Sequence, residues 1–457
     1  MSERVFFDPE FETLCLHDLR VLQENAWRTQ WAYVKGSSPF YRAGIGGSSA
    51  ATPTLDDLRH LPLTDKDQLR DSQQRYPPFG DYLACAEGQV VRVHRTSGTS
   101  GRALNLGSTK RDTEHIARVG ARAMFAAGLR PADRVVHCLN YCIWTGGLTD
   151  HLSLEATGAT VIPFGVGHTK RLLETIEELA VTAVSCTPSY PALMEKVYFE
   201  TTGRSPRDLG LRLGLFGGEG GLDNPDFRRS LERTWGFKAR NANYGLSEVL
   251  SQFAGQCEQS DDLHFHAGDV VFAEILEAKT GRPLPMEPGA TGELVCTNLA
   301  RQCQPLVRYR TGDLIEVSAV DRCDCGRTSW RFRVTGRCDD MFNVRGINVF
   351  PSAVHRVLSA HPRLTSAHFR IHLRGPGPYD RIELIVEAAR DLARSQWPDA
   401  GRTLETAVRD AIGAAAAVTM TAFEFLHRTE GKTAWVERIE ALNSSSSRCA
   451  TRWRGSR

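Results

Sequence analysis

Residues 90–101 read VVRVHRTSGTSG, a short alternating apolar run followed at once by six threonine, serine and glycine residues. The run Val90–His94 is typical of a β-strand, and the glycines after it allow the backbone positive φ angles. Amide N–H groups and hydroxyls in such a loop can surround the oxygens of a phosphate. An ordinary flexible turn has the same composition. The segment is no Walker A motif, because no Lys-Ser or Lys-Thr pair follows its last glycine.

Outward from this loop, short apolar runs alternate with mixed-polarity stretches. They read RVVHCLN (134–140), ATVIPF (159–164), TAVSC (182–186) and LRLGLFGG (211–218). This alternation predicts βαβ units, in which parallel sheets are covered by helices. The later runs VVFAEIL (270–276) and GELVCTNL (292–299) indicate antiparallel strands and a small β-rich subdomain. The predicted fold class is therefore α/β.

The two ends of the chain have different patterns. The first eighty or so residues have helical spacing of apolar residues, and Thr64 is a candidate N-cap of a helix there. A polar stretch at 336–340 suggests a boundary between a large N-terminal domain, 1–336, and a small mobile α+β domain, 337–443. The last residues, 444–457, read SSSSRCATRWRGSR and predict a disordered tail.

Composition restricts the class of protein. A formal net charge of +2 over 457 residues gives no reason to expect a nucleic-acid partner. Since no window has the eighteen apolar residues of a membrane span and no signal peptide is visible, we expect no membrane partner and a cytoplasmic location. Twelve cysteines at irregular spacing are typical of reduced thiols, some of which could bind metal.

The glycine-rich loop and six further segments, in this order along the chain, resemble the signatures of the acyl-adenylate-forming enzyme superfamily. The phosphate loop corresponds to Thr96, Ser97, Gly98, Thr99, Ser100 and Gly101; the later segments are Gly217, Gly218 and Glu219, then Tyr244–Glu248, Arg308–Asp313, Gly336–Asp340, Arg345–Ser352 and Glu430–Lys432. Residues 139–147 (LNYCIWTGG) and 187–190 (TPSY) are most similar to the phenylacetate–CoA ligase-like branch.

The resemblance implies a role for each site residue. Lys432 would stabilise charge during adenylation, and Glu248 would bind Mg²⁺. Asp313 would accept hydrogen bonds from the ribose hydroxyls of ATP. Arg337 would contact the nucleotide from the hinge, and Arg310 would support it. Tyr244 and the turn 217–219 would lie against the adenine. Asp339 would be the hinge on which the small domain rotates between two half-reactions.

The acid substrate is expected in a slot lined by aromatic residues and glycines. The lining residues would be Tyr141, Ile143, Trp144, Gly147 and Gly217. Such a slot suits a flat ring, so an aromatic or heteroaromatic acid is the predicted substrate. Ordinary core packing is the alternative for each of these residues.

A structural zinc site is a further expectation. Three thiols and one imidazole suit a closed tetrahedral Zn²⁺ site, and the candidates are Cys257, His264, Cys323 and Cys325. His266 competes with His264 as the imidazole ligand. Reduced thiols without a metal are the alternative.

The sequence therefore predicts ATP-dependent, AMP-forming activation of a carboxylic acid, followed by transfer to the thiol of coenzyme A. His355 and the run Thr433–Trp435 depart from the family pattern in the small domain, which addresses the acceptor. An enzyme of a biosynthetic pathway that transfers the acyl group to an acyl carrier protein or an amine is therefore the alternative. A silent binding protein is disfavoured by the retained Glu248 and Lys432. Dimers are common in this branch, so a homodimer is a further expectation.

Overall fold

The computed structural model describes residues 5–44, 52–96, 102–278, 280–338, 342–345, 347–375, 379–426 and 435–439. The described residues up to Cys338 form one compact unit and those from Phe342 onward form a second. Among these residues, no helix combines the length and the apolar character that crossing a bilayer requires.

The first unit contains nine α-helices among its described residues. They are α1 (Pro9–Glu12), α2 (Leu16–Ser37), α3 (Pro39–Gly44), α4 (Lys66–Arg75), α5 (Lys110–Ala126), α6 (Thr145–Ala156), α7 (Thr169–Glu178), α8 (Tyr190–Thr202) and α9 (Pro225–Trp235). Its strands are β1 (Arg92–Arg95), β2 (Asn105–Ser108), β3 (Arg134–His137), β4 (Thr160–Pro163), β5 (Ala183–Cys186), β6 (Leu213–Gly217), β7 (Lys238–Leu246), β8 (Leu250–Gln256), β9 (Leu263–Phe265), β10 (Val271–Leu276), β11 (Pro283–Leu284), β12 (Thr291–Asn298), β13 (Tyr309–Ala319) and β14 (Arg331–Arg337).

Twelve of these strands form one sheet, in the order β11-β10-β12-β13-β14-β9-β8-β7-β6-β5-β3-β4. Strands β3 to β7 are parallel neighbours, as the alternating pattern predicts, and β5 and β6 are buried along their whole length. The strands from β8 to β14 are antiparallel, which confirms the interpretation of runs 270–276 and 292–299. Strand β7 joins the two halves, because it pairs parallel with β6 and antiparallel with β8.

The N-terminal segment packs on the antiparallel half. Arg327 and Glu12 form an ion pair at 2.6 Å between side chains that are 3% and 1% exposed. Helix α4 differs from the expectation at its first turn. Its N-cap is Asp65, whose carboxylate accepts from the Gln68 amide while the Gln68 side chain accepts from the Asp65 amide. Thr64 instead bonds to Val307 through its hydroxyl, so it is a sheet contact and not the cap.

The second unit is a small α+β structure. Its elements are β15 (Phe342–Val344), β16 (Ile347–Val349), α10 (Pro351–Ser359), β17 (Thr365–Arg374), β18 (Ile382–Ala388), α11 (Trp397–Ile412), β19 (Ala416–Thr421) and β20 (Val436–Ile439). Four strands form a sheet in the order β19-β18-β17-β20. Its apolar cluster combines residues of this sheet with Val354 and Leu358 of α10 and Leu404 and Val408 of α11.

An aromatic stack includes His355 and Trp435, two residues at which the sequence was expected to depart from the family pattern. The rings of His355 and Trp435 stack at a centroid distance of 5.0 Å, and Trp435 stacks on Phe369 at 5.7 Å. The carbonyl of Trp435 also accepts a hydrogen bond from the amide of Ile371 at 2.7 Å. His355 and Trp435 therefore pack on each other, whereas Thr433 and Ala434, the rest of the departing run, lie outside the described residues.

Candidate active site

The glycine-rich segment connects the two strands of a hairpin. β1 pairs antiparallel with β2, from Arg92 opposite Ser108 to Arg95 opposite Asn105. At the end of the hairpin, Thr96 exchanges two hydrogen bonds with Leu104, one through its amide at 3.1 Å and one through its hydroxyl at 3.0 Å. Residues 97–101 of the predicted phosphate loop lie outside the described residues, so the structure describes Thr96 alone of the six.

Three predicted nucleotide residues from distant segments meet at one carboxylate. Asp313 on β13 accepts a hydrogen bond from the Tyr244 hydroxyl at 2.7 Å through Oδ2, and it pairs with the Arg337 guanidinium through Oδ1. Its backbone amide donates to the Thr311 hydroxyl at 3.0 Å. The carboxylate is thus held from both sides, by the phenol at Oδ2 and by the guanidinium at Oδ1.

The Tyr244 ring is fixed by aromatic neighbours. It meets Phe253 and Phe332 edge-on, at centroid distances of 5.2 and 5.5 Å. Burial, and then the negative charge of Asp313, raise the pKa of Tyr244 well above its usual value. The phenol therefore stays protonated at neutral pH and acts as a fixed donor.

Glu248 is paired with a residue that was not among the sequence candidates. The Lys66 ammonium lies 2.8 Å from Glu248 Oε1, and the two side chains are 36% and 7% exposed. Lys66 opens helix α4, and the backbone of Thr64 brings that helix start onto β13 through bonds with Arg308 and Arg310. No local signal links a lysine at one helix start with a glutamate in a distant turn, which is why sequence reasoning missed the pair.

The turn after β6 carries the predicted adenine contacts. Gly218 has a φ of +82°, a conformation that strains other residues, so glycine suits this corner. Glu219 is half-buried, and burial raises its pKa while hydrogen bonds from Ser189 oppose that shift. The predicted TPSY segment therefore lies against this turn, since Ser189 belongs to it.

Arg310, a further candidate for the nucleotide site, pairs with a glutamate. Its guanidinium donates to Glu293 at 2.6 Å, and Glu293 also accepts from the amide of Gly312 at 3.1 Å. Arg310 therefore braces the turn that leads into Asp313. Lys432 and Asp339, the predicted catalytic lysine and hinge, lie outside the described residues.

The predicted acid pocket is built around a tightly packed helix start. A Cβ atom on Gly147 would lie 2.2 Å from the Asn140 carbonyl oxygen, so only glycine fits there. Ile143 has a φ of +57°, unusual for a β-branched residue, and its carbonyl accepts from the amide of Arg95 at 3.0 Å. Ile143 and Trp144 are 51% and 36% exposed, so this segment presents an apolar surface directly beside β1.

Tyr141 and Gly217 complete the predicted lining. The Tyr141 hydroxyl lies 3.0 Å from His151 Nδ1, and His151 Nε2 lies 3.1 Å from Glu155. Beneath them, the buried His137 bonds to the Gly147 carbonyl at 2.9 Å and the Ser185 hydroxyl at 3.0 Å. The lining residues are therefore held by a polar network as well as by apolar packing.

The four predicted zinc ligands come together as one cluster. The ligand atoms of Cys257, His264, Cys323 and Cys325 all lie within 4.8 Å of one another. The Cys257 and Cys323 sulfurs are 3.9 Å apart, and the Cys325 sulfur lies 3.7 Å from His264 Nε2. A tetrahedral site with Zn–S bonds of about 2.3 Å needs sulfurs about 3.8 Å apart, so the donor set fits Zn²⁺.

The second ring nitrogen of the cluster histidine is also engaged. His264 Nδ1 lies 3.0 Å from the Ser329 hydroxyl, an outer contact that orients the ring with Nε2 towards the thiols. His266 stacks on His264 at a centroid distance of 5.8 Å and is not part of the cluster.

Comparison with known proteins agrees with this architecture. The sequence model of the AMP-binding enzyme family matches residues 58–299, and that of the AMP-binding enzyme C-terminal domain matches residues 346–437. The phenylacetate–coenzyme A ligase of Thermus thermophilus is 37% identical over 85% of this chain and 86% of its own length. That of Pseudomonas putida is 34% identical over 95% of this chain and 97% of its own.

A solved structure is also close. The crystal structure of 2-hydroxyisobutyryl-CoA ligase in the postadenylation state, in complex with 2-HIB-AMP, has a TM-score of 0.87 at 27% identity, over 96% of this chain and 93% of that one. The chain belongs to the AMP-binding enzyme family of adenylate-forming proteins. Within it, the protein is an AMP-forming acid–thiol ligase of the phenylacetate–CoA ligase-like branch.

Proposed function

We propose that the enzyme activates an aromatic carboxylic acid with ATP and transfers the acyl group to the thiol of coenzyme A. In the first step, a carboxylate oxygen of the acid attacks the α-phosphorus, and the bond to the β-phosphate oxygen breaks to release pyrophosphate. In the second, the thiol sulfur attacks the acyl carbon, loses its proton and releases AMP. Both steps depend mainly on positioning and on neutralising charge.

The observation that carries this proposal is the convergence of Tyr244, Asp313 and Arg337. A carboxylate held by a phenol and a guanidinium is a rigid two-oxygen acceptor, which suits the two hydroxyls of a ribose. Near the other end of the nucleotide, Thr96 would contribute a hydroxyl to the phosphate loop, and Lys432 would neutralise charge at the α-phosphate. Mg²⁺ bound through Glu248 would neutralise the phosphate oxygens.

Coenzyme A is the acceptor that the relatives favour, since those at 31–37% identity are named phenylacetate–coenzyme A ligases. An acyl carrier protein, an amine and a homodimer stay predictions. ATP as substrate and the free thiols of the described cysteines support a cytoplasmic enzyme.

The test is ATP–pyrophosphate exchange with a panel of aromatic acids, followed by addition of coenzyme A. We expect exchange with at least one aromatic acid, and AMP and thioester formation once the thiol is present. Glu248→Gln and Asp313→Asn should both reduce exchange strongly. Exchange with aliphatic acids alone would refute the aromatic assignment, and adenylate that reacts with a carrier protein but not with coenzyme A would refute the acceptor.

We propose in addition that Cys257, His264, Cys323 and Cys325 hold a structural Zn²⁺. Four protein donors leave no open position for substrate, so the ion would stabilise the fold and take no part in the reaction. Protein purified without added zinc should contain one equivalent, and Cys325→Ser should lose it and melt at a lower temperature. Cys15→Ser is the matched control, because serine can keep the cap of helix α2. Wild-type protein that contains no zinc after this purification, and whose melting temperature does not change when Zn²⁺ is added, would refute the site.

A further inference from the structure

A buried arginine lies behind the turn that carries Glu248. Arg301, in the connection between β12 and β13, is 9% exposed. Its Nη1 donates to the backbone carbonyl of Glu248 at 2.7 Å and to that of Val249 at 2.9 Å. Its Nη2 donates to the backbone carbonyl of Gly107 at 3.3 Å. One guanidinium therefore connects the Glu248 turn with strand β2.

The two segments that Arg301 connects both belong to the proposed nucleotide site. Strand β2 is the second strand of the hairpin in which the predicted phosphate loop joins the strands. The amide of Gly107 on this strand also donates to Gln304 Oε1 at 2.7 Å, so the connection between β12 and β13 holds the strand at two points. The Glu248 turn lies between β7 and β8. The arginine therefore fixes the position of the Glu248 turn relative to the base of the hairpin.

The partners of this arginine are unusual for a buried cation. All three of its recorded hydrogen bonds end on backbone carbonyl oxygens, and it forms no ion pair with a carboxylate among the described residues. Arginine is seldom fully buried unless it is paired with an opposite charge, and a buried unpaired charge is costly. An apolar side chain would therefore suit this position better if packing were its only task, which points to a role in the reaction.

We propose that Arg301 is a positioning residue that holds the Glu248 turn in register with the phosphate-loop hairpin, so that both act on the same phosphates of ATP. This inference rests on the proposed role of Glu248 in Mg²⁺ binding. Arginine suits the task because its planar guanidinium donates to several acceptors in a fixed geometry. Lysine has its donors on one flexible ammonium and cannot reproduce that geometry.

The test measures ATP–pyrophosphate exchange and ATP binding over a series of Mg²⁺ concentrations. In Arg301→Lys, we expect kcat for exchange to fall about tenfold and the half-saturating Mg²⁺ concentration to rise by a similar factor, because hydrogen bonds from a charged donor are lost. The KM for the acid should not change. Calorimetric titration of ATP, which needs no turnover, should show a larger loss of affinity with Mg²⁺ than without it.

Two further variants complete the comparison. Arg301→Met removes the charge and all three hydrogen bonds and should slow exchange more than Arg301→Lys, so that lysine acts as a partial rescue. Arg122→Lys is the matched control, because Arg122 is 1% exposed and also donates to a backbone carbonyl, that of His266 at 3.1 Å. It should lower the melting temperature but leave the Mg²⁺ dependence unchanged. If Arg301→Met fails to fold, Arg301→Lys still decides the question, since it keeps the charge.

The outcomes separate this inference from the proposed function. Arg301→Lys with the kcat and Mg²⁺ dependence of the wild-type enzyme would overturn the role of Arg301. An acid KM that rises as much as the Mg²⁺ requirement would also overturn it, because a general structural defect affects both. If Glu248→Gln keeps the wild-type response to Mg²⁺, the metal role of Glu248 fails and the inference fails with it. If Glu248→Gln loses that response while Arg301→Lys keeps it, the role of Arg301 alone fails.

Discussion

Replacing Tyr244 with phenylalanine removes one hydroxyl group from the centre of the proposed nucleotide site. That hydroxyl donates to Asp313 Oδ2 over 2.7 Å. The ring would keep its edge-on contacts with Phe253 and Phe332, so the change isolates the hydrogen bond. The Asp313 carboxylate would still be paired with Arg337 but could turn away from the direction that ribose requires.

The size of the effect follows from the burial of the acceptor. The Asp313 side chain is 8% exposed, so water replaces the lost donor poorly. Hydrogen bonds to charged groups contribute about 1.5–3 kcal/mol. Since about 1.4 kcal/mol is tenfold in a binding constant, we expect ATP to bind roughly ten- to a hundredfold more weakly to Tyr244→Phe.

The assay is titration of ATP by calorimetry, with the melting temperature measured on the same samples. Burial and the charge of Asp313 raise the pKa of Tyr244, so the loss should be the same between about pH 6 and 9. Tyr198→Phe, which removes the same atom from a separate hydrophobic cluster, is the control. Unchanged ATP affinity in Tyr244→Phe would refute the assignment of this carboxylate to ribose.

Lys66→Met should lower the melting temperature, because it removes the lysine that lies 2.8 Å from Glu248, a side chain that is only 7% exposed. Added Mg²⁺ should restore part of this loss. A melting temperature that does not respond to Mg²⁺ would contradict the metal role of Glu248. Burial lowers the pKa of His137 to about 4. The contribution of the neutral imidazole to the free energy of unfolding should therefore be complete above about pH 6.5 and decrease by roughly 3 kcal/mol as the pH falls towards 4. In His137→Gln, the free energy of unfolding measured with denaturant should change less with pH over this range. Trp435→Ala should lower the free energy of unfolding of the second unit by about 2–3 kcal/mol, as measured by denaturant unfolding. This loss is smaller than that for a fully buried tryptophan, because Trp435 is only partly buried. Because Trp435 follows Lys432 by three residues, the same variant should also slow exchange without weakening ATP binding.

The parallel half of the fold was predictable from sequence because its strands are short, apolar and separated by turns. The continuity of the sheet was not. Strand β7 reads KARNANYGL, and its mixed burial carries no clear strand periodicity. It is nevertheless the strand that joins the parallel and antiparallel halves, since its partners on either side determine its course.

Sequence motifs predicted the individual residues of the site, but they did not predict which residues pair when these lie in distant segments of the chain. The motifs identified Tyr244, Asp313 and Arg337 one by one. The antiparallel pairing of β13 with β14 places Arg337 opposite Asp313, whereas Tyr244 reaches the same carboxylate from β7, which pairs with β6 and β8. The contacts of Glu248 with Lys66 and with Arg301 join segments far apart in the chain, and no spacing rule relates them. Thr64 as a helix cap was wrong, because Asp65 offers the better acceptor and Thr64 is taken by the sheet.

The double pairing of β7 has an evolutionary consequence. The predicted ribose contacts, Asp313 and Arg337, lie on the antiparallel side of this strand, whereas α6 and the turn after β6 belong to the parallel side. Mutations in α6 could therefore alter the predicted acid pocket while the predicted ribose contacts on β13 and β14 are kept. Grafting residues 138–156, which hold α6 and the loop before it, from a relative should accordingly change substrate preference and leave ATP binding unchanged.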